Sequence, residues 1–406
     1  MLRWWFTAPS YARRALIAAG LGWMLDAMDV LLYSFVLNHV RAEFGIDDRT
    51  SGLLIAIPLA ASAVGGILFG WLADRIGRVR ALTWSIVVYS VATAACGLAQ
   101  SPAQLGVLRL VVGVGMGGEW ATGAALVAET WPAEHRGKAM GLMQSAWAVG
   151  YAAAAAVNAI VLPTLGWRAV FAAGLLPALI TFWVRRSVPE SQLWQASRAR
   201  HAPAGELRRV LTGPGSRLTW LVAAMNALTM FAWWGLFTWI PSFLSRPAAE
   251  GGAGLSIVGT ATWVILMQVG MWFGYVTFGV IADAVGRRRT YVTYLLAAAA
   301  LVPVYAATRE PLPLLVLGPV LAFFGTGHFS GFGTVSAELF PTSVRATAQG
   351  LTYNLGRGVS AAAPFTVGAL AVSQGLGPAF LVTSAAFLLA ATMWIWIPET
   401  RRDLRE

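Results

Sequence analysis

The sequence predicts an all-α membrane protein with twelve transmembrane helices in two pseudo-symmetric six-helix bundles. Three observations carry that prediction. The composition is 57% hydrophobic and 12% charged, with a mean hydropathy of +0.65, whereas a soluble domain carries roughly 25% charged residues. Positive charge is distributed unevenly between alternate loops. The stretch GWLADRIGRVR from Gly70 returns 209 residues later as GVIADAVGRRR from Gly279. One junction repeated at about half the chain length reads as two related membrane halves.

Crossing the hydrocarbon takes about 20 mostly apolar residues. In chain order such segments lie at 15–38, 50–73, 80–98, 104–128, 138–162 and 167–185, then at 218–244, 257–282, 290–307, 312–337, 346–372 and 376–397. The long polar break at 186–217, with three prolines and three glycines among several arginines, reads as a cytoplasmic linker between bundles at 1–185 and 218–406. The side that holds both termini carries 22 Lys and Arg against 5 in the opposite loops, with Arg109 and Arg357 inside spans. Both termini are therefore expected in the cytoplasm. The net charge of +11 becomes a matter of topology and lipid attraction, not of nucleic-acid binding. Nineteen Trp suit a protein with two membrane interfaces. Arg3, Arg13 and Arg14 precede the first span without a small-residue cleavage site, as in an uncleaved start. The single Cys96 excludes an internal disulfide framework.

Each repeated junction sets Gly, Asp and a basic cluster between two spans. A second pair repeats as well: Glu129 with Arg136 in AETWPAEHRG, and Glu338 with Arg345 in AELFPTSVRA. PES at 189–191 and PET at 398–400 close the two halves, and Ala284 stands in the second junction where Arg75 stands in the first. These residues resemble the signature loops of the major facilitator superfamily over the whole chain, so the resemblance implies the major facilitator fold. They also resemble its cytoplasmic charge network, which makes Asp74, Arg78, Glu129, Arg136, Asp283, Arg287, Glu338 and Arg345 candidates for a cytoplasmic gate or for simple loop ties.

Ionisable side chains near the bilayer centre are costly unless paired or hydrated, so they point to function. Asp26 and Asp29 in GWMLDAMDVLLYS lie three residues apart on one helical face, which Tyr33 extends by a turn. Two carboxylates this close do not both ionise easily, a useful property for a group that loads and releases a proton. At about 1.5 Å per residue, Asp29 lies roughly 21 Å from the cytoplasmic start of its span. Arg109 lies roughly 8 Å inside the outer end of span 4. In a core about 30 Å thick these depths coincide, so the two are expected to pair, as a coupling switch or as a static ion pair. The resemblance implies the same pairing. Glu119 is turned about 80° from the Arg109 face and reads as a second titrating group or a helix–helix hydrogen bond.

Arg357 sits near the midplane of span 11 in GLTYNLGRGVS, with Tyr353 and Asn354 one turn earlier. A guanidinium at that depth calls for an anion, either a substrate carboxylate held by its planar fork or an acid from another span. His328, among small residues in GTGHFSGFG, is a packing residue or an auxiliary proton or substrate group. Trp233, Trp234 and Trp239 in span 7 and Gln268, Trp272 and Tyr275 in span 8 either pack or line a cavity. Gln144, Tyr151 and Asn158 recur at a spacing of seven and give span 5 a polar face. The candidate substrate set is Arg357, Tyr353, Asn354, His328, Tyr33, Trp234, Gln268 and Tyr151.

The span 1 acids, GGEW with ALVAETWP, FAWWGLFTWIP and ELFPTSVRATAQG together look like the sialate/lactate–proton symporter branch of the superfamily. That resemblance implies proton-coupled uptake of a small organic anion by alternating access, through a monomer in the bacterial inner membrane. Twelve spans leave no room for the extra spans of some sialate carriers, which favours a monocarboxylate such as lactate or pyruvate. Aromatic-acid, sialic-acid or other metabolite–proton symport is the alternative. No metal-ligand cluster, nucleophile motif or phosphate loop occurs in the sequence, so neither a cofactor nor an enzyme activity is expected. The expected partners are the anion, protons and membrane lipid.

Overall fold

The computed structural model describes residues 3–190, 212–213, 216–339 and 345–399, and no strand occurs among them. The predicted linker at 186–217 thus lies largely outside the described residues. The first half contributes α1 (Ser10–Phe44), α2 (Asp48–Ile76), α3 (Arg78–Cys96), α4 (Pro102–Thr130), α5 (Ala133–Ala172) and α6 (Leu176–Ser187). The second contributes α7 (Ser216–Phe237), α8 (Ile257–Val285), α9 (Arg287–Ala307), α10 (Pro311–Gly327), α11 (Arg345–Ser360) and α12 (Leu381–Met393). Among the described residues, ten helical stretches are long and apolar enough to cross a membrane. One of them, Lys138–Leu179, breaks where Gly166 takes φ 76°, so it contains the fifth span and most of the sixth. The 29-residue α4, which carries Arg109 and Glu119, accounts for the remaining one. Ile67, Ile160, Val280 and Leu312 are each at least 70% exposed, as expected of side chains solvated by lipid.

Helix ends follow local chemistry. Ser101 caps α4 by accepting the Gln104 N–H at 3.2 Å, with Pro102 at the first helical position. Ser256 caps α8 in the same way from Gly259, at 3.0 Å. The repeated junctions behave alike. α2 stops at Gly77 and α8 at Gly286, whose φ values of 108° and 106° suit glycine. Each following helix is then capped by a remote carboxylate. Glu190 accepts the N–H groups of Arg78 at 2.7 Å and Val79 at 3.2 Å, and Glu399 accepts those of Arg287 at 2.7 Å and Arg288 at 3.2 Å. The glutamates of PES and PET therefore do one job in two places.

Five predicted spans are interrupted; the sixth passes through a 3-10 turn, Ala173–Leu175, and the twelfth breaks at Phe380 between Leu376–Ala379 and Leu381–Met393. Span 7 breaks after Phe237 and resumes as Ile240–Ser245, and span 11 breaks after Ser360 and resumes as Ala362–Gln374. In both cases a proline four residues on, Pro241 or Pro364, would drive its ring into the carbonyl at the break. Span 10 passes through a 3-10 turn, His328–Gly331, before Phe332–Leu339. Glycines at 325, 327, 331 and 333 weaken the helix there.

The chain divides into two compact units, Met1–Val36 with Ala61–Ala202, and Leu37–Ala60 with Pro203–Glu406. Inside the first, α2 and α4 touch backbone to backbone: a side chain on Gly65 would overlap the Val114 carbonyl, and one on Gly117 the Ser62 carbonyl. Inside the second, Gly270 and Gly274 of α8 meet the carbonyls of Pro319 and Phe323 on α10 in the same fashion.

Candidate functional site

The first unit gathers three buried carboxyl groups on one face of α1. Asp26, Asp29 and Glu119 are each no more than 1% exposed. Residues 22, 26, 29 and 33 share that face by helical spacing. A methyl group built on Gly22 would lie 2.6 Å from Glu119 Oε1, so the Glu119 carboxyl fills the notch that glycine leaves. Tyr89 of α3 donates its hydroxyl to the Gly22 carbonyl at 3.3 Å. It lies within electrostatic reach of all three acids. Glu119 therefore faces α1, and its rotation away from Arg109 brings it to Gly22, one turn before Asp26.

Both Asp29 carboxylate oxygens are buried without a hydrogen-bond partner among the described residues. Thr93 lies close by. The expected Asp29–Arg109 hydrogen-bonded pair is thus not formed in this conformation. The Arg109 guanidinium instead lies over the Tyr33 ring, 4.2 Å from its centroid, an attraction of the cation–π kind. Cys96 lies close to both Arg109 and Asp29. Asp29 and Arg109 thus both lie within electrostatic reach of Cys96 without a hydrogen bond to the Asp29 oxygens among the described residues. Tyr151 is buried against Phe35, ring centroids 6.0 Å apart, and Gln144 accepts the Trp120 indole N–H at 3.2 Å. Asn158 is buried too, on the same face of α5.

The second unit holds the other candidates. Arg357 and Tyr353 of α11 are buried, Asn354 half-buried, and Tyr275 of α8 lies close to Tyr353. Gly356 lets α11 approach α7, since a side chain there would lie 3.1 Å from Asn226. Trp233 donates its indole N–H to Thr326 at 3.1 Å and forms an edge contact with Trp234 at 4.9 Å. Gln268 donates to the Val264 carbonyl at 3.2 Å, which leaves its buried amide oxygen without a partner among the described residues. His328 sits among Phe329, Phe332, Phe387 and Tyr291, with ring centroids 4.7–6.4 Å away. Both its nitrogens are buried with no hydrogen bond among the described residues. Tyr33 and Tyr151 belong to the first unit, and the other six substrate candidates to the second.

At the junctions, Arg78 pairs with Glu129 at 3.3 Å, and the Arg287 side chain is mostly buried. The side chains of Asp74, Arg136, Asp283, Glu338 and Arg345 lie outside the described residues. No group of three or more His, Cys, Asp or Glu arranged to hold a metal occurs among the described residues.

Several site neighbours escaped sequence reasoning. Ser85, Tyr89, Thr93 and Cys96 line one face of α3, a spacing of four, four and three that marks a helical polar stripe. Asn226 and Trp233 are seven apart on α7 and belong together for the same reason. No sequence signal singled out Asp48 and Arg246, whose ion pair joins segments 198 residues apart.

Known proteins agree with this architecture. Residues 17–274 match the family model described as Major Facilitator Superfamily. A probable 4-methylmuconolactone transporter of Cupriavidus pinatubonensis is 33% identical over 99% of this chain and 94% of its own length. A cis,cis-muconate transport protein of Acinetobacter baylyi is 32% identical over 96% of this chain and 95% of its own. The fold matches the xylose transporter XylE from E. coli with a TM-score of 0.79 at 20% identity, over 97% of this chain and 100% of that one. The relatives' names do not specifically support lactate or pyruvate as cargo. A repeat that runs through both halves, helices that follow the solved fold and relatives aligned nearly end to end agree: the chain belongs to the Major Facilitator Superfamily, as a multi-pass metabolite transporter and not an enzyme.

Proposed function

We propose that this protein is a proton-coupled symporter of a small organic anion, with a conjugated or aromatic carboxylate as its cargo. The observation that carries the proton role is Asp29: a carboxyl group within a membrane span, about 1% exposed, with neither oxygen hydrogen-bonded among the described residues. A carboxylate so placed is costly to keep charged, so binding a proton is its natural response. Asp26 and Glu119 share the face and offer the proton further positions, and Arg109 beside Tyr33 supplies the compensating charge when Asp29 ionises.

The cargo class draws on the two relatives named for muconate-type compounds. A planar conjugated carboxylate suits a guanidinium fork at Arg357, hydrogen bonds from Tyr353 and Asn354, and the aromatic faces of Trp234 and Tyr275. Gln268, His328, Tyr33 and Tyr151 complete the set proposed to contact it. Asp74, Arg78, Glu129, Arg136, Asp283, Arg287, Glu338 and Arg345 are proposed to gate the cytoplasmic side. The charge asymmetry supports an inner-membrane protein with both termini in the cytoplasm, and it is proposed to act as a monomer.

Uptake into proteoliposomes driven by a pH gradient tests the reading. The panel is cis,cis-muconate, 4-methylmuconolactone, a benzoate, sialic acid, lactate and pyruvate. Accumulation of a conjugated or aromatic acid is expected, and Asp29→Asn should lose uphill uptake while keeping exchange. Proton-driven accumulation by Asp29→Asn at the parent rate refutes the coupling role. Arg357→Lys should raise the apparent KM about tenfold or more, since a bidentate contact to a charged group is lost.

A further inference from the structure

Asn226 lies on α7 within the apolar stretch LVAAMNALTM, where an amide is costly unless its polar ends are bonded. It is 1% exposed, and its Oδ1 accepts no hydrogen bond among the described residues. Within the same unit it meets α11: a side chain on Gly356 would lie 3.1 Å from the Asn226 Cβ. The two residues therefore share one depth, and Arg357 follows Gly356 directly. At 100° per residue, Gly356 stands about 60° from Tyr353 and about 100° from Arg357 around the α11 axis. Asn226 thus borders the face that carries two of the proposed cargo contacts.

The ordinary use of Asn in a membrane span is a hydrogen bond to a neighbouring helix. The helix face it meets here has no donor to offer. Gly356 bears no side chain, and amides inside a helix donate to carbonyls of their own helix. A cargo carboxylate does not answer the Asn226 oxygen either, because an ionised carboxylate only accepts. What satisfies a buried amide oxygen is a hydroxyl or an N–H. Gln268 repeats the pattern on α8: its amide donates to the Val264 carbonyl at 3.2 Å, while its buried Oε1 accepts nothing among the described residues. The unit that holds the Arg357 guanidinium therefore also holds two unanswered acceptors.

We propose that Asn226 is a specificity-determining residue, which accepts a hydrogen bond from a hydroxyl or N–H that the cargo carries apart from its carboxylate. This rests on the Arg357 reading above and narrows it to acids with such a donor.

Dissociation constants measured by calorimetry on the purified protein, with no pH gradient, test it. The probes are benzoate and its 2-, 3- and 4-hydroxy derivatives. The tighter of the 3- and 4-hydroxy acids should bind about tenfold better than benzoate. The 2-hydroxy acid, whose hydroxyl donates to its own carboxylate, should show no such gain. Asn226→Leu keeps the side-chain shape without the acceptor and should abolish the preference. Asn226→Ala, which adds no bulk beside Gly356, should abolish it too, and both variants are verified as folded by their Tm. A parent that binds benzoate and the 3- and 4-hydroxy acids equally overturns the proposal, as does a preference that survives in either folded variant. Affinity lost by one common factor for all the acids overturns it as well, since the amide would then be donating to the carboxylate. If none of the acids binds the parent, the cargo reading falls and takes this inference with it. Binding without discrimination removes the inference alone.

Discussion

Gly22 shows how a missing side chain can define a site. Its α-carbon opens the space that the Glu119 carboxyl occupies, and its carbonyl accepts the Tyr89 hydroxyl. Gly22→Ala should displace Glu119 and reduce proton-driven uptake severalfold, whereas Gly20→Ala, which faces open space, should leave it unchanged. Uptake and thermal unfolding measured side by side separate a lost function from a lost fold. The acids of α1 were legible because 26, 29 and 33 share a helical face. The partner of Asp29 was not, because depth along a span is one coordinate and bonding needs a second, the rotation about each axis. Glu119 illustrates the same point from the other side: its angle from Arg109 was readable, but not that α1 stood where it pointed.

At the scale of elements, α3 and α9 begin with basic residues, an unfavourable charge for a helix N-terminus, and a borrowed carboxylate offsets it. Glu190→Ala should lower stability by about 1 kcal/mol, seen as a lower Tm in detergent. Glu399→Ala should cost less, since Glu399 is exposed and water replaces part of the bond. At the start of α2, Asp47 accepts the Thr50 N–H at 2.8 Å, and the Thr50 bonds hold its carboxyl below the usual Asp range. Its folded-state value is the depressed one, so its contribution is present above the ordinary Asp value of 3.8 and is lost as pH falls below it. The protection of the Thr50 amide from hydrogen exchange, taken relative to the intrinsic exchange rate at each pH, should fall over that interval and stay flat above it. Helix order and number were legible from hydropathy and charge alone. The breaks after Phe237 and Ser360 were written in Pro241 and Pro364, but a long apolar run hides a proline kink because both pieces remain apolar.

For the whole molecule, the 22 basic residues on one side against 5 on the other predict the orientation. A reporter fused after Glu406 that fluoresces only in the cytoplasm should be bright, and one active only outside it should be silent; the reverse result refutes the assignment. Cargo was the least legible property. Lactate and muconate would both present a carboxylate to a guanidinium, so the proposed Arg357 contact does not separate them. The difference lies in the shape of the surrounding wall, which residues from several spans build together and no local motif encodes.

The two borrowed caps also impose an order on biosynthesis. Glu190 follows Arg78 by 112 residues, and Glu399 follows Arg287 by 112. Each third helix of a half is therefore translated long before its cap exists, and its N-terminal amides stay uncapped by that carboxylate until the last helix of the same half has been made. Completion of each half is in this way registered at a single helix end, the N-terminus of its third helix, which gains its carboxylate only after the last span of that half has been made.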